Sequence, residues 1–325
     1  MTGLHDCTET SRRSSSYTRI IEYDGSAGTF SPGQTSGLHR QNSATTPVST
    51  ESTKGPIKAH SPASDRPCPS CAESSATIVS DYCRDAWLIV SCDSCGFVYL
   101  RNPPDYAALK REFAWEVSFG AERKSRMDRA SALRRWNHAF RHWHVSRTRE
   151  RRHRQLVDLL GPGKVLDVGC GPGQRLRAPF IPYGIEISAA LHAKADAHMR
   201  SLGGKCLHAA GAEGVWRFDE GMFDGVVMHS YLEHEFDPVK SLRGAHRALR
   251  PSGRVFVRVP NFGSLGRLAR GREWCGFRYP DHVNYFTLST LCAVAAKAGF
   301  TVRPLNRTRL WVDDNIHALL VKPEA

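Results

Sequence analysis

The 325-residue chain has no run of 18 or more apolar residues, so no membrane-spanning helix is expected. Its opening residues, MTGLHDCTET, lack the charged, apolar, then small-residue order of a secretory signal. Asp6, Glu9, Glu22 and Asp24 argue against an organelle transit peptide, and a cytoplasmic protein is the expectation. Ten cysteines are too few for a disulfide scaffold of this length. Acidic residues are in deficit: 45 Lys and Arg face 32 Asp and Glu, a formal net charge of +13. The imbalance is local, with 12 Lys/Arg against 3 Asp/Glu in residues 120–155.

Composition divides the chain into four parts. Residues 1–60 hold 20 Ser or Thr and little apolar periodicity, which predicts a disordered leader that cannot offset its ordering entropy by burial. Residues 66–104 form a short cysteine-bearing unit with strand-like runs at Trp87–Val90 and Phe97–Leu100, closed by Asn102-Pro103-Pro104. Residues 105–160 read as a basic helical connector, with Leu133, Trp136, Phe140 and Trp143 on one stripe and Gly161-Pro162-Gly163 as its stop. From 161 to 325 strands alternate with helices. KVLDVG, PYGIEI, FDGVVMH and GRVFVRVP are the expected parallel strands; DPVKSLRGAHRALR, ended by Pro251-Ser252-Gly253, and TLSTLCAVAAKAG are amphipathic helices; FTVRPLNRTR and NIHALLVK make a closing antiparallel pair. The fold class is therefore α/β: a Rossmann-like, doubly wound, mostly parallel sheet with its last strand antiparallel.

Cys68-x-x-Cys71 and Cys92-x-x-Cys95 are 20 residues apart, the spacing of a four-thiolate zinc ribbon. A closed set of four thiolates predicts a structural ion worth on the order of 10 kcal/mol of folding energy. Two disulfides or free thiols are the alternative. Cys83, between the pairs, is read as a non-ligand.

The loop Asp167-Val168-Gly169-Cys170-Gly171-Pro172-Gly173 follows a strand, where open α/β sheets bind ligands, and its glycines let backbone approach one closely. Gln174 stands where a dinucleotide fingerprint needs its last glycine, and no Lys-Ser/Thr follows as in a P-loop. The D-x-G-x-G-x-G pattern resembles the first motif of class I S-adenosylmethionine (SAM) dependent methyltransferases. FDGVVMHSYLEHEFDP resembles the fourth-strand motif of their small-molecule members. Val259-Pro260-Asn261, Trp274 and DHVNYFT, together with CDSCGFVYLRNPP, resemble a branch that carries an N-terminal zinc knuckle and acts on sugars, lipids or other small metabolites. The resemblance spans about 66–325. It implies SAM as methyl donor, Asp167 near the methionine amino group and Glu186 on the ribose. The remaining expected cofactor contacts are Gly169, Cys170, Gly171, Gly173, Ile187, Glu213 and His229. Pro179 and Pro182, between the loop and Glu186, predict a truncated first helix.

A hydroxyl acceptor needs a base. His282 in DHVNYF is the first candidate, with Glu233 and His234 beside it; a loop histidine held by a hydrogen bond and a plain helix start are the bland alternatives. Trp274 and Tyr285 are either acceptor-pocket walls or core. The expected function is methyl transfer to a small-molecule or glycan hydroxyl. An RNA methyltransferase that uses the ribbon and the basic helix is the first alternative, although no Asn-Pro-Pro-aromatic motif follows the fourth strand. A catalytically degenerate binding protein is the second. Oligomeric state is not legible.

Overall fold

The computed structural model describes residues 65–104 and 149–323. The leader expected at 1–60 and the part of the basic connector from 105 to 148, with its Trp and Phe stripe, lie outside the described residues. The connector's end is helical over 149–160 and stops at Gly161 as expected.

The main sheet has seven strands: β4 (Gly163–Val168), β5 (Phe180–Glu186), β6 (Lys205–His208), β7 (Phe223–His229), β8 (Leu249–Pro260), β10 (Thr301–Pro304) and β11 (Asn315–Val321). Their order is β10-β11-β8-β7-β4-β5-β6. The pairs from β8 to β6 are all parallel, and β11 runs antiparallel to both β8 and β10. The chain steps outward from β4 through β5 to β6, then returns to β7 on the other side of β4. Order therefore reverses between β4 and β7, and a crevice opens at their carboxyl ends.

The continuous apolar runs of the central strands are explained by burial on both faces: Val165, Leu166 and Val168 have no exposed surface. Val165, Val227, Phe256 and Leu319 pack under Leu156 and Leu160 of the 149–160 helix. Leu166, Val226, Val255 and Val257 pack on the opposite side, in a core shared with Leu242 and Ala245 of α3 (Pro238–Ala248) and Leu291 and Val294 of α5 (Leu288–Lys297). Asp237 caps α3 by accepting from the Lys240 amide at 2.8 Å, and Thr287 forms a reciprocal capping box on α5. The remaining helices are α1 (Ala189–Arg200), α2 (Gly211–Gly214) and α4 (Leu265–Arg270).

Two expectations change in detail. Helix α3 ends at Ala248, and Pro251-Ser252-Gly253 lies within β8 rather than at the helix stop. The turn residues act there as a bulge: β7 advances from Phe223 to Gly225 while β8 advances from Leu249 to Arg254. The first helix after the glycine loop is more than truncated, since residues 169–179 contain turns and no helix.

The cysteine-bearing unit contributes β1 (Ala76–Ile78), β2 (Ile89–Cys92) and β3 (Val98–Leu100) to a second, antiparallel sheet. Its fourth strand is β9 (Asn284–Tyr285), from far along the chain, with Val98 opposite Tyr285 and Tyr99 opposite Asn284. Arg66 reinforces this join, donating to the carbonyls of Val283 at 3.1 Å and Phe236 at 2.5 Å and to Asn284 Oδ1 at 3.0 Å. Among the described residues no helix is long and apolar enough to cross a membrane.

Candidate functional site

Two groups of side chains gather at the carboxyl edge of the main sheet. The first surrounds the glycine loop that leaves β4. Gly169, Gly171 and Gly173 all have positive φ, at 69°, 57° and 77°, a conformation that side chains disfavour. Each glycine has a different neighbour. A Cβ on Gly173 would come within 2.9 Å of the Ala195 backbone in α1, so this glycine serves helix packing. One on Gly169 would meet the Tyr231 ring at 3.2 Å. One on Gly171 would meet nothing within 4 Å, and there the loop faces open space.

Glu186 ends β5 and leans back to that open stretch. Its Oε2 accepts from the Gly171 amide at 2.8 Å and its Oε1 from the Ser188 amide at 2.9 Å. A bare backbone arc rimmed by one fixed carboxylate suits a ribose-bearing cofactor. Asp167 is fully buried below the loop. Burial pushes its carboxyl above the usual range, opposed by Arg175, whose Nη1 donates to both carboxylate oxygens at 2.7 and 2.6 Å. His229, at the end of β7, is pushed down to about 2 by burial and by the charges of Arg175 and Arg258, so its imidazole is neutral at physiological pH.

Other expected contacts are placed differently. The Cys170 thiol turns inward against Cys206, Ala195 and Met199, so only its backbone belongs to the loop. Glu213 is exposed and paired with Lys240 at 3.3 Å. The Ile187 carbonyl accepts from His208 at 2.9 Å.

The second group follows β7. The turn Leu232–His234 carries Glu233 and His234, and the segment before β9 brings His282 to them. Ligand-type atoms of these three side chains lie within 4.8 Å of one another, a geometry that can move a proton or hold a divalent cation. The Val283 amide donates to the Glu233 carbonyl at 2.8 Å. Asn284, unassigned from sequence, donates to the carbonyls of Leu232 and Glu235, both at 2.7 Å, and so clamps the turn to β9.

The electrostatics of this group are uneven. His234 Nδ1 bonds Asp281 at 2.9 Å to the carbonyl and 3.1 Å to the carboxylate. Burial lowers its affinity for a proton, but the charge and hydrogen bond of Asp281, helped by Glu233, lift it to about 9. Asp281 is correspondingly held well below the usual carboxylate range, with Arg278 also within 2.8 Å. His282 is 4% exposed, and burial beside the charged His234 drives it well below its ordinary value. Its Nδ1 lies 2.8 Å from the Gly276 carbonyl, which must accept; Nδ1 therefore carries the hydrogen and Nε2 keeps a lone pair. Glu233 is 1% exposed, pushed upward by burial, and its Oε2 has no hydrogen-bond partner. Trp274 and Tyr285 are both buried in an aromatic cluster with Phe262 and Phe277, which favours the core reading of both.

The four cysteines of the ribbon converge. Cys68 and Cys95 sulfurs are 3.6 Å apart, Cys71 and Cys92 sulfurs 3.5 Å, and all four lie within 4.8 Å of one another. Cys83 points instead at the carbonyls of Val79 and Ile89.

Residues 140–305 match the family model for a methyltransferase domain. A ubiquinone biosynthesis O-methyltransferase of Aeromonas salmonicida (strain A449) is 29% identical over 161 residues, 44% of this chain and 65% of that protein. The corresponding protein of Pseudomonas aeruginosa (strain LESB58) is 34% identical over 104 residues, 30% of this chain and 44% of that protein. The chain thus spans less than two thirds of the length of these curated relatives. Among solved structures, 1,6-didemethyltoxoflavin-N1-methyltransferase of Burkholderia thailandensis is similar at 19% identity with a TM-score of 0.45, covering 75% of this chain and 98% of that one. A SAM dependent methyltransferase from Archaeoglobus fulgidus is similar at 16% identity with a TM-score of 0.44, covering 55% and 94%.

Proposed function

The chain belongs to the methyltransferase-domain family, and from that premise we propose that it moves a methyl group from SAM to a hydroxyl of a small molecule or glycan. The observation that carries the reading is the Gly171–Glu186 cradle: an amide held by a strand-end carboxylate, with open space above it. When bound, SAM supplies an already activated methyl group. What this chain's residues must do is align two reactants and remove one proton.

Glu186 accepts the ribose hydroxyls, and Asp167 faces the methionine ammonium. His282 takes the acceptor's proton on Nε2; being neutral, it is ready to do so at physiological pH. Glu233, whose Oε2 has no hydrogen-bond partner, stabilises the imidazolium that forms, while the charge on His234 opposes it. The ribbon holds a structural zinc on Cys68, Cys71, Cys92 and Cys95, with no open position for chemistry. Unoxidised thiolate ligands suit the cytoplasm.

Calorimetric titration with SAM tests the cofactor assignment. Glu186→Ala removes about two charge-assisted bonds, roughly 3–6 kcal/mol at most, and Gly171→Val both strains a positive φ and fills the cradle. Both variants should bind at least about 100-fold more weakly. Unchanged affinity in both ends the assignment. A labelled-methyl screen of phenols, glycans and RNA then identifies the acceptor. A second reading, in which the fold persists without cofactor binding, is favoured by one observation: Arg175 already occupies Asp167. Absence of any SAM binding to the wild-type protein would establish it.

A further inference from the structure

In a βαβ unit the turn after the first strand usually opens a helix, and the free amides of that helix form an anion site. This chain has no helix between β4 and β5. An anion bound there lacks those amide donors. The segment that replaces the helix instead returns Arg175 to the end of β4, where it grips Asp167 with one nitrogen, Nη1. Arg175 is unevenly used. Its side chain is 28% exposed while that of Asp167 is fully buried. Among the described residues its Nη2 and Nε make no hydrogen bond, which leaves a planar pair of donors free on a partly exposed side chain.

The amino-acid end of SAM is a zwitterion. A buried carboxylate alone would attract its ammonium and repel its carboxylate. In the Asp–Arg pair the free guanidinium edge offers a fork of donors to the carboxylate, while the buried Asp167 charge beneath it balances the cation and attracts the ammonium at longer range. Arg258, on β8 in register with His229, adds positive charge to the same rim, while His229 itself is neutral.

We propose that Arg175 is a cofactor-binding residue that holds the α-carboxylate of SAM, positioned for it by the buried Asp167. The inference rests on the SAM reading above but can fail separately from it. The pair replaces the missing helix start and makes binding depend on the complete amino-acid group rather than on adenosine alone.

The test is a cycle between ligand and protein. S-adenosylhomocysteine and its decarboxylated analogue, which keeps the ammonium, are titrated into wild type, Arg175→Gln and Arg175→Lys. Wild type should prefer the carboxylated ligand by about 10- to 100-fold, the value of a charge-assisted contact. In Arg175→Gln the preference should fall below about threefold, and Arg175→Lys should lie between, a point charge replacing a fork. The ratio is internal to each protein, so a general loss of stability does not mimic it. If Arg175→Gln does not fold, the wild-type ratio and the Lys variant carry the test. A wild-type ratio near one, or an undiminished ratio in the variants, overturns the role of Arg175 and leaves the SAM reading standing. Failure of wild type to bind either ligand overturns both.

Discussion

Removing the ribbon's metal should loosen the candidate active site, although no cysteine touches it. The path is short. Stripped of its ion, the ribbon loses a folding contribution on the order of 10 kcal/mol, and β3 can no longer hold β9. That releases the β3–β9 pairing, the Leu100 amide bond to the Val283 carbonyl at 3.0 Å, and the three Arg66 contacts. It also opens the apolar cluster in which Ile89, Val98 and Leu100 cover Trp274, Phe277, Val283 and Tyr285. Neutral hydrogen bonds contribute about 1 kcal/mol net and charged ones about 1.5–3, so the Arg66 contacts and the Leu100 bond alone are worth about 5.5–10 kcal/mol. For a domain of this size that corresponds to a fall of roughly 10–40 °C in melting temperature. His282 is adjacent to Val283, whose amide bonds Glu233, so the Glu233–His234–His282 group should lose its geometry with the join. The assay pairs zinc analysis with thermal unfolding and hydrogen exchange for wild type and Cys95→Ser. We expect about one zinc per wild-type chain, and in the variant a lower melting temperature with faster exchange at residues 283–286. A zinc-free protein with an unchanged melting temperature and undiminished protection at those amides would refute the coupling.

The charged pair of the second group makes stability depend on pH. His234 is raised to about 9, so its contribution is complete below the ordinary histidine value and is lost as pH rises through about 9. Asp281 is depressed, so its contribution is present above the ordinary carboxylate value and disappears only as pH falls through the lower folded one. Asp281→Asn should therefore cost about 2–3 kcal/mol near pH 6 in denaturant unfolding and markedly less at pH 10; equal costs at both pH values would disprove the linkage. His282→Ala should lower turnover about 10²- to 10⁴-fold with SAM affinity retained, and full activity would remove it as the base. Because His282 is held below its ordinary value, the acid limb of wild-type turnover should fall below pH 6.5. A limb at or above 6.5 would assign the proton transfer to another group.

The parts of the fold legible in the sequence are those whose signal is local. Strands β4 and β7 are buried on both faces and read as mostly apolar runs, VLDV and GVVM, interrupted in β4 only by Asp167, so a pattern search finds them. Strand β6 alternates only over Lys205–His208, too short for a periodic signal; its pairing with β5 depends on context that four residues do not carry. Helix α1 is rich in alanine and weakly amphipathic, so it too carries little periodic signal. Strand β9 is two residues long and exists because the ribbon offers β3 as a partner, which no local periodicity announces.

The candidate site divides along the same line. Glu186 could be found because a strand end places a carboxylate by geometry alone. Glu213 lies within the span of the family resemblance, but an exposed carboxylate takes whatever cation is at hand, and α3 supplies Lys240. Cys170 lies inside the motif, yet its thiol packs against Ala195 and Met199 of α1 and against Cys206, a burial that the motif itself does not announce. Arg175 shows the limit most clearly. Pro179 and Pro182 signal that a helix is lost, and that much is local chemistry. Which side chain then fills the space where the helix would begin is decided by loop closure onto a buried charge. Of the arginines at 175 and 177, two residues apart, one reaches Asp167 and the other pairs with Glu150 across the surface. A burial pattern cannot choose between them. The buried aspartate can, because an ionised carboxylate without solvent requires a cation within reach, and only the nearer arginine meets that requirement.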